Sequence, residues 1–590
     1  MVNIKINGKA LQAEDGISIL EAAKKVNVKI PTLCYNPNLP PWASCGICIV
    51  RTAGPGSPRM ARACTTQVAQ DMDIVTHDPE IIATRRTVVE LILSNHPDDC
   101  LQCPRNRSCE LQTLAAEFGI RDATFKKVLN NIPVDDSNPS IVLNPDKCIR
   151  CGRCVSVCQD VQNVWAIEFV GRGFKGKIAS AADTPLGESP CVKCGQCAAH
   201  CPVGAIYERD DTAKVWNALQ DADVHPVVQI APAVRVALAE EFGLAPGTIL
   251  TKKIYAALRR LGFKTVFDTN FSADLTIMEE GSELVKRLTE KGSDVPLITS
   301  CCPAWVDYME KYYPDMIPNF STAKSPQQML GAMIKAYWSG KAGVDPAKVC
   351  SVSVMPCTAK KWETRRNDDM KSAGHGWDVD ISITTRELAR MIKQAGIDIL
   401  ALADEDADNP LGPYTGAGTI FGVTGGVMEA AVRSAYFLVT GKELGDVNFK
   451  PARGFEGIKE AEVDFGVPVG EHGTKVRIAV AHQMGNIEAV MNTIRSAKDA
   501  GKETPYHFVE VMACRGGCIG GGGQPYGCTD EIRQQRTSGI YQDDEKSQYR
   551  CSHQNPYINQ VYKEFLGEPN SHKAHELLHT HYVDRELYVK

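Results

Sequence analysis

The stretch CIRCGRCVSVC, residues 148–158, and the similar stretch CVKCGQCAAHC, residues 191–201, decide how this part of the chain folds. Each one spaces four cysteines as Cys-x2-Cys-x2-Cys-x3-Cys. A short loop of this kind can hold three corners of a cubane, while the fourth cysteine faces a partner half. Eight thiols at this spacing predict two [4Fe–4S] clusters.

The fourth cysteine of each stretch is expected to bind the opposite cluster. This exchange is the rule in the bacterial two-cluster ferredoxin arrangement, which both stretches resemble. The ligands of one cluster would be Cys148, Cys151, Cys154 and Cys201. Those of the other would be Cys191, Cys194, Cys197 and Cys158. We predict a two-[4Fe–4S] ferredoxin domain over residues 139–215.

Length and composition place the chain among multidomain globular proteins. It has 590 residues, of which 43% are hydrophobic and 23% charged, and its formal net charge is −6. That charge gives no reason to expect a nucleic-acid partner. The sequence shows neither an export leader nor a long apolar run, so we expect a cytoplasmic protein without a membrane span. Its 23 cysteines are grouped, which favours metal sites over disulfides.

The first 78 residues contain signals for a small sheet with a cluster loop. Val2–Ile6 alternates in polarity, Asn7-Gly8 is a hairpin signal, and Ser18 can cap the helix ILEAAKKV. The thiols that follow are Cys34, Cys45, Cys48 and Cys64. Their order resembles the plant-type ferredoxin pattern, which implies a β-grasp ferredoxin-like domain with a [2Fe–2S] cluster. The last gap is long because GPGSPRM is inserted as a turn, and a zinc knuckle is the alternative.

A second candidate site begins at the end of the helical stretch TRRTVVELILSNHPDDC, residues 84–100. Its four ligands are His96, Cys100, Cys103 and Cys109. Zinc and a [4Fe–4S] cluster both accept this set. The spacing, followed by ELQ, resembles the His-ligated cluster of the large iron–sulfur subunit of respiratory complex I and of modular [FeFe] hydrogenases. The resemblance implies a third [4Fe–4S] cluster in a domain over residues 79–138.

From about His225 the sequence alternates apolar runs with amphipathic stretches such as KKIYAALRRLGF and TTRELARMIKQAG, an α/β pattern. The apolar runs VPLITS, VSVMP and FVEVMA each lead into cysteines. Sites in parallel sheets gather at the carboxyl ends of strands, so these cysteines are expected at one pole. They are Cys302, Cys357, Cys514 and Cys518. Four thiolates there predict one more cubane.

Three segments in this region carry a specific resemblance. TSCCPAW, MPCTAKKWE and EVMACRGGCIGGGGQP resemble the signature motifs of the [FeFe] hydrogenases, and the similarity runs along the whole chain. It implies reversible oxidation of H2 to protons and electrons at an H-cluster, a [4Fe–4S] cubane linked to a di-iron unit with CO, CN and a bridging dithiolate amine. Cys302, Cys357 and Cys514 would bind the cubane. Cys518 would bind it and bridge to the di-iron unit.

The same resemblance assigns further residues. A proton relay from the cofactor to solvent would comprise Cys301, Glu280, Ser321, Glu283 and Arg287. Lys360 would contact a cyanide ligand. Other cofactor-lining positions would be Ser325, Gln327, Met355 and Met512. Without the resemblance, the two glutamates would be interpreted as a solvated helix face, and the lining residues as ordinary packing.

The remaining features complete the expected organisation. An H-cluster domain is predicted over residues 216–540, with a small-subunit-like segment over residues 541–590. Glycines 425–426 and 520–523 fit either turns or backbone close to a cofactor, and GAGTIFG lacks the spacing of a dinucleotide fingerprint. Cys350, Cys528 and Cys551 are interpreted as structural.

Partners and competing functions follow from the resemblance. NHPDDCLQCPRNRSCELQ is similar to hydrogenase subunits that work with flavin-bearing NAD(P)-linked and small iron–sulfur subunits in a hetero-oligomer, some of which carry out electron bifurcation with ferredoxin. Ferredoxin alone is another possible acceptor, and maturation proteins are required for the di-iron unit. The alternatives are a cluster-assembly scaffold, a hydrogen sensor and a complex I-like electron-input subunit. The complete motif set with Cys301 favours the enzyme.

Overall fold

The computed structural model describes residues 1–54, 60–122 and 124–588, without the side chain of residue 471. The inserted turn predicted in GPGSPRM falls mostly on residues 55–59, outside this description. Contacts between residues divide the chain into two units. The first is Met1–Ser189 with His200–Tyr207, and the second is Pro190–Ala199 with Glu208–Lys590.

The first unit begins with a five-stranded sheet and one packed helix. Its strands are β1 Val2–Ile6, β2 Lys9–Ala13, β3 Ile49–Ala53, β4 Met60–Arg62 and β5 Asp73–Val75, in the spatial order β2-β1-β5-β3-β4. Asn7 and Gly8, with φ of 50° and 78°, form the predicted β1–β2 hairpin, since the tight turn needs left-handed residues. Helix α1, Ile19–Lys25, begins at the predicted cap Ser18, which forms a capping box with Glu21.

Short elements separated by loops make up the rest of the first unit. They are helices α2 Pro79–Ser94, α3 Glu110–Glu117 and α4 Arg153–Ser156, and strands β6 Ile141–Leu143, β7 Glu168–Val170, β8 Lys177–Ala179 and β9 Ile206–Glu208. Strand β6 pairs with β9 and β7 with β8. Arg153 donates to both carboxylate oxygens of Glu110 at 2.7 and 2.8 Å. This bidentate ion pair connects the first paired-cysteine stretch to the helix that follows Cys109.

Two four-stranded sheets form the framework of the second unit. Their strands are β10 His225–Ile230, β11 Thr265–Asp268, β12 Leu297–Ile298, β13 Val349–Met355, β14 Ile381–Thr384, β15 Ile458–Asp464, β16 Lys475–His482 and β17 Phe508–Met512. The first sheet has the order β11-β10-β13-β14 and is parallel throughout. The second has the order β12-β17-β16-β15, with only β15 antiparallel. The cysteine-terminated strands are therefore divided between two sheets.

Helices connect and cover these strands. They are α5 Gln196–His200, α6 Thr212–Gln220, α7 Thr251–Leu261, α8 Thr269–Thr289, α9 Pro303–Tyr312, α10 Pro326–Met333, α11 Ser339–Ala342, α12 Ala359–Glu363, α13 Thr385–Gln394, α14 Gly416–Ile420, α15 Gly426–Thr440, α16 Met484–Asp499, α17 Asp530–Lys546, α18 Pro556–Val561 and α19 His572–Leu578. Helices α7 and α13 correspond to the two amphipathic stretches noted in the sequence. Among the described helices, none combines the length and apolar character needed to cross a bilayer.

A buried arginine joins two neighbouring strand ends of the first sheet. The side chain of Arg235, just beyond β10, is fully buried and donates to both carboxylate oxygens of Asp268 at 2.9 Å. It also donates to Asp543 at 2.9 Å and to the Tyr414 hydroxyl at 2.6 Å. Because Asp268 ends β11 and Asp543 lies on α17, the arginine fixes a C-terminal helix to the carboxyl edge of the sheet.

We expect Arg235→Met to lower the free energy of unfolding by roughly 3–5 kcal/mol, because the Asp268 carboxylate would stay buried without its cation. Urea unfolding of the chain, followed by far-ultraviolet circular dichroism, measures the change. The control is Lys341→Met, which removes the exposed pair of Lys341 with Glu564 and should lower the free energy of unfolding far less, because water screens an exposed pair. Equal shifts in the two variants would contradict the expected role of Arg235.

Candidate active site

Five cysteines lie around one cavity in the second unit. The cavity has a volume of about 80 Å³ and is lined by Cys301, Cys302, Cys357, Cys514 and Cys518. Cys357 lies two residues beyond the end of β13, and Cys514 two residues beyond the end of β17. The β12 segment carries Cys301 and Cys302 to the same place. The predicted convergence at strand ends is therefore present, although the strands belong to two sheets.

The rest of the cavity wall is mostly apolar. Met355 and Met512, both predicted lining residues, contribute to it, as does Gln327. Other lining residues are Ala231, Pro232, Ala233, Ala273, Pro303, Phe421 and Ala513. Such a wall excludes water and strengthens any charge interaction inside it.

Burial controls the protonation of these thiols. Burial, reinforced by neighbouring cysteines, raises the pKa of Cys357 and of Cys518 to about 12. Burial also raises the pKa of Cys302 and, to a greater extent, that of Cys514. A thiolate is therefore stable in this cavity only beside a strong cationic partner. Four converging thiols in an apolar cavity fit the donor set of an iron–sulfur cubane.

Cys301 lies beside the predicted relay. Burial raises the pKa of its thiol well above the ordinary value, and the nearby Glu280 raises it further. Glu280 is itself fully buried on α8, where burial raises its pKa to about 8. Neither carboxyl oxygen of Glu280 makes a hydrogen bond within the described part of the chain. Both groups therefore carry a proton at neutral pH.

The other relay residues form a connected set towards the surface. The Ser321 hydroxyl donates to Glu283 Oε2 at 3.3 Å. Arg287 Nη2 donates to Glu283 Oε1 at 2.7 Å and also to the carbonyl oxygen of Phe320. Glu283 and Arg287 lie one helical turn apart on α8 and are partly exposed. The predicted relay residues therefore lie close together, between the cavity and the partly exposed side chains of Glu283 and Arg287.

A buried carboxylate missing from the sequence prediction organises the Lys360 side of the cavity. Glu363 Oε2 accepts from Lys360 Nζ at 2.9 Å, from Ser325 Oγ at 2.9 Å and from Gln327 Nε2 at 3.0 Å. Burial opposes the charge of Lys360, but attraction to Glu363 outweighs it and raises the pKa of Lys360. Lys360 Nζ also donates to the Cys301 carbonyl oxygen at 3.2 Å.

Ser325 does not line the main cavity, whereas Gln327 and Lys360 do. Ser325 borders a smaller neighbouring cavity together with Glu363. A sequence signal for Glu363 existed, because it lies three residues after Lys360 in AKKWE, the spacing of facing side chains on a helix.

The segment Pro190–Ala199 reaches the same cavity from within the second unit. Gln196 Nε2 donates to Cys514 Sγ at 3.2 Å and to the Gly520 carbonyl oxygen at 3.1 Å. A Cβ atom on Gly522 would approach the Cys194 carbonyl oxygen to 2.5 Å, so only glycine permits this contact. Residues 520–523 therefore pack closely against protein backbone, and Gly521 also borders the cavity. Sequence reasoning missed Gln196, whose only signal is its position between Cys194 and Cys197.

The glycine pair 425–426 also packs against protein rather than against the cavity. A Cβ atom on Gly425 would meet the Ala452 carbonyl oxygen, and one on Gly426 would meet that of Ile420. The interpretation that backbone here approaches a cofactor is therefore wrong for this pair. The sequence could not separate the two cases, because both require the same lack of a side chain.

The cysteines of the first unit form groups of their own. The Cys48 and Cys64 sulfur atoms are 3.4 Å apart, and Cys34 is hydrogen-bonded to Cys45 and Cys64. In the paired-cysteine region, one small cavity is lined by Cys148, Cys151, Cys154 and Cys201. Cys158 belongs to the first unit, whereas Cys191, Cys194 and Cys197 belong to the second.

The His96 site has a neutral imidazole available. Burial lowers the pKa of His96 to about 4, and its Nδ1 has no hydrogen-bond partner among the described residues. A neutral ring with a free nitrogen is the form that binds metal. Cys109 and Cys103 are partly buried, and Cys100 is exposed.

Comparisons with known families cover most of the chain. The family described as iron only hydrogenase large subunit, C-terminal domain, matches residues 224–522, and iron hydrogenase small subunit matches residues 530–585. The 2Fe-2S iron-sulfur cluster binding domain matches residues 1–79. The NADH-ubiquinone oxidoreductase-G iron-sulfur binding region matches residues 85–124, and the 4Fe-4S dicluster domain matches residues 147–205.

Individual relatives agree with these matches. The NADP-reducing hydrogenase subunit HndD of Solidesulfovibrio fructosivorans is 46% identical over 99% of both chains. Iron hydrogenase 1 of Clostridium pasteurianum is 39% identical over 99% of this chain and 100% of its own. The solved structure of [FeFe]-hydrogenase HydA1 from Chlamydomonas reinhardtii is 42% identical, covers 64% of this chain and 100% of its own, and superposes with a TM-score of 0.57.

The predicted fold class is confirmed at the level of a multidomain α/β protein with [2Fe–2S], [4Fe–4S] and hydrogenase domains. An H-cluster and iron–sulfur clusters are the cofactors that these domains imply. The five-cysteine cavity falls among the residues of the large-subunit match. The chain therefore belongs to the iron-only ([FeFe]) hydrogenase family, and it is a hydrogenase with N-terminal iron–sulfur relay domains.

Proposed function

We propose that Cys302, Cys357, Cys514 and Cys518 hold the H-cluster and that this hydrogenase interconverts H2, protons and electrons there. The observation that carries the assignment is the convergence of four thiols from three distant segments on one apolar cavity. When bound, the H-cluster supplies an open iron site and a bridgehead amine base for splitting or forming H2. The residues around it have the separate tasks of moving protons, fixing the cofactor and delivering electrons.

Proton movement is assigned to Cys301, Glu280, Ser321, Glu283 and Arg287. With a pKa near 8, Glu280 holds a proton at neutral pH and can pass it to a neighbour at little cost. The Cys301 thiol, also protonated, would stand between Glu280 and the cofactor. The hydrogen-bonded set of Ser321, Glu283 and Arg287 supports a connection from Glu280 towards solvent.

Lys360 is proposed to face an anionic cyanide ligand of the di-iron unit. Its cation is held by Glu363, and Ser325 and Gln327 donate to that carboxylate. We therefore assign Ser325 a positioning role through Glu363. Gln327, Met355 and Met512 would contact the cofactor from the cavity wall.

Electrons would travel along accessory clusters. We propose a [2Fe–2S] cluster on Cys34, Cys45, Cys48 and Cys64, and a [4Fe–4S] cluster on His96, Cys100, Cys103 and Cys109. A further [4Fe–4S] cluster would use Cys148, Cys151, Cys154 and Cys201. The last would use Cys191, Cys194, Cys197 and Cys158, and the hydrogen bond from Gln196 to Cys514 supports electron delivery from that cluster to the cubane.

The proposed domain organisation follows these sites. A β-grasp ferredoxin-like domain would span residues 1–78, a His-ligated cluster domain residues 79–138 and a two-cluster ferredoxin domain residues 139–215. The H-cluster domain would span residues 216–540 and the small-subunit-like segment residues 541–590. Similarity to a subunit of an NADP-reducing hydrogenase supports a hetero-oligomer with flavin-bearing NAD(P)-linked and small iron–sulfur subunits, with ferredoxin as a further acceptor. We place the enzyme in the cytoplasm, where thiols stay reduced for metal binding.

Replacing Cys301 by alanine tests the relay. We expect Cys301→Ala to lower H2 turnover at least 100-fold, the usual scale of a lost proton-transfer group, while iron content and cubane spectra stay unchanged. Gas chromatography and iron analysis of the matured enzyme measure both. Cys350→Ala is the control, because Cys350 is also a partly buried thiol of the second unit but lies away from the cavity. Wild-type turnover in the Cys301 variant would exclude the relay assignment.

Replacing Gln196 by leucine tests the link to the cubane. A hydrogen bond to a cluster sulfur stabilises the reduced, more negative state. We therefore expect Gln196→Leu to lower the cubane reduction potential by about 40 mV, the one-electron equivalent of a hydrogen bond worth ~1 kcal/mol. Redox titration by electron paramagnetic resonance, on protein made without maturases, measures it. The control Gln560→Leu, on α18 and outside the cavity lining, should leave the potential unchanged. An unchanged potential in both variants would contradict the role of Gln196.

Purification from native cells tests the partner proposal. We expect the chain to be recovered with a flavoprotein at equal stoichiometry, and H2-dependent reduction of NAD+ or NADP+ to be lost when the two are separated. Recovery of an isolated monomer that is active with ferredoxin alone would contradict the hetero-oligomer. Hydrogen uptake with an artificial dye should survive the separation, which controls for damage to the H-cluster.

A further inference from the structure

A second group of metal-binding side chains lies outside the five-cysteine cavity. Cys551, His553 and Glu443 each place a ligand atom within 4.8 Å of the other two. His553 Nε2 lies 3.1 and 3.2 Å from the two carboxylate oxygens of Glu443. Cys551 and His553 are buried, whereas Glu443 is half exposed. The residues come from two segments more than 100 positions apart.

We propose that Cys551, His553 and Glu443 bind one zinc ion, with a solvent-facing fourth position. Thiolate, imidazole and carboxylate are the three ligand types that zinc accepts, and three protein ligands with an open position is a known arrangement. The two anionic ligands balance the dication. The exposed side of Glu443 gives the ion a path from solvent.

The surroundings of His553 support a ligand role. Its Nδ1 lies 3.2 Å from the Ser434 hydroxyl on α15, which directs Nε2 towards Glu443 and Cys551. The imidazole also stacks on Phe437, with ring centres 4.2 Å apart and planes within 2° of parallel. A hydrogen-bonded and sterically fixed second nitrogen is the usual support for a metal-binding histidine.

The other two ligands are also held in place. Gln554 Nε2 donates to Glu443 Oε2 at 3.1 Å, and Gln554 Oε1 accepts from the Cys551 backbone N–H at 3.3 Å.

A second cluster of residues that could bind metal has no free nitrogen on one of its histidines. His472, Glu503 and His507 also lie within 4.8 Å of one another. However, the Arg477 backbone N–H donates to His507 Nδ1 at 3.0 Å, and Arg477 Nη2 lies 3.2 Å from His507 Nε2. Both ring nitrogens of His507 face donors, so no lone pair is free for a metal ion.

The zinc ion would connect two regions of the chain. Glu443 follows α15 within the large-subunit match, and Cys551 with His553 lies within the small-subunit match. A shared metal would therefore attach the small-subunit-like segment to α15. This inference does not depend on the assignment of the H-cluster ligands.

The test uses the full chain with its iron–sulfur clusters fully reconstituted. Protein equilibrated with ZnSO₄ and then desalted is analysed by mass spectrometry for metals and by zinc X-ray absorption. We expect about one zinc per chain, with a single sulfur neighbour at about 2.3 Å and nitrogen or oxygen neighbours at about 2.0–2.1 Å. Cys551→Ser and His553→Ala should each weaken zinc binding at least 10-fold. Iron content and H2 turnover check that both variants fold.

Two control variants sharpen the result. Cys350→Ser and His507→Ala should retain the zinc, because neither residue belongs to the proposed site. Fewer than about 0.1 zinc per chain in the wild-type protein would overturn the proposal and leave His553 and Glu443 as an ion pair only. Zinc with several sulfur neighbours that persists in Cys551→Ser would also overturn it, since the ion would then occupy an iron–sulfur site.

Discussion

Four thiols must be held together around one apolar cavity, and the arrangement of the second unit depends on this constraint. Burial raises the pKa of each of them, so the group carries no negative charge unless a strong cation is bound. Three separate chain segments must therefore end at the same place with little freedom to move. The two parallel arrangements of strands meet this need, because β13 of one sheet and β17 of the other both point their carboxyl ends at the cavity.

The environment of each buried ionisable group near the cavity determines whether that group is charged. Glu363 Oε2 accepts from three donors, and its attraction for Lys360 keeps that side chain charged at the cavity wall. Glu280 is the opposite case: its buried carboxyl group makes no hydrogen bond to the residues that the structure describes, and it keeps its proton. Burial therefore affects two side chains near the cavity differently, for reasons of environment alone: Lys360 stays charged beside Glu363, and Glu280 stays protonated. One suits a fixed counter-ion and the other suits a group that exchanges protons.

Local spacing made several features predictable from sequence. The Asn7-Gly8 hairpin, the Ser18 cap and the ends of the cysteine-bearing strands depend on neighbouring residues, and the structure has them as predicted. Strand pairing could not be predicted from local spacing, because an apolar run does not indicate which other strand it pairs with. Gln196 and Glu363 were missed for a related reason. Their importance comes from what the fold places beside them, and their weak local signals, the position of Gln196 between two cysteines and the spacing of Glu363 from Lys360, do not identify those neighbours.

The C-terminal segment contacts the helix that carries the glutamates of the proposed relay. Glu279, the neighbour of Glu280 on α8, is fully buried and accepts hydrogen bonds from Tyr562 at 2.5 Å and from the Asn570 backbone N–H at 2.7 Å. Adjacent helix positions point in different directions, so Glu279 faces the segment while Glu280 remains without such partners.

The segment also holds the loop backbone around Ser321, whose hydroxyl belongs to the proposed relay. The Tyr582 hydroxyl donates to the Ser321 carbonyl oxygen at 2.6 Å, and the Thr580 N–H donates to that of Thr322 at 2.8 Å. Both sides of the proposed relay, α8 and the Ser321 backbone, therefore make hydrogen bonds to residues beyond α17. A segment that provides none of the five cavity cysteines is thus placed to set how closely Glu283 and Ser321 approach, and transfer along the proposed relay would depend steeply on that distance.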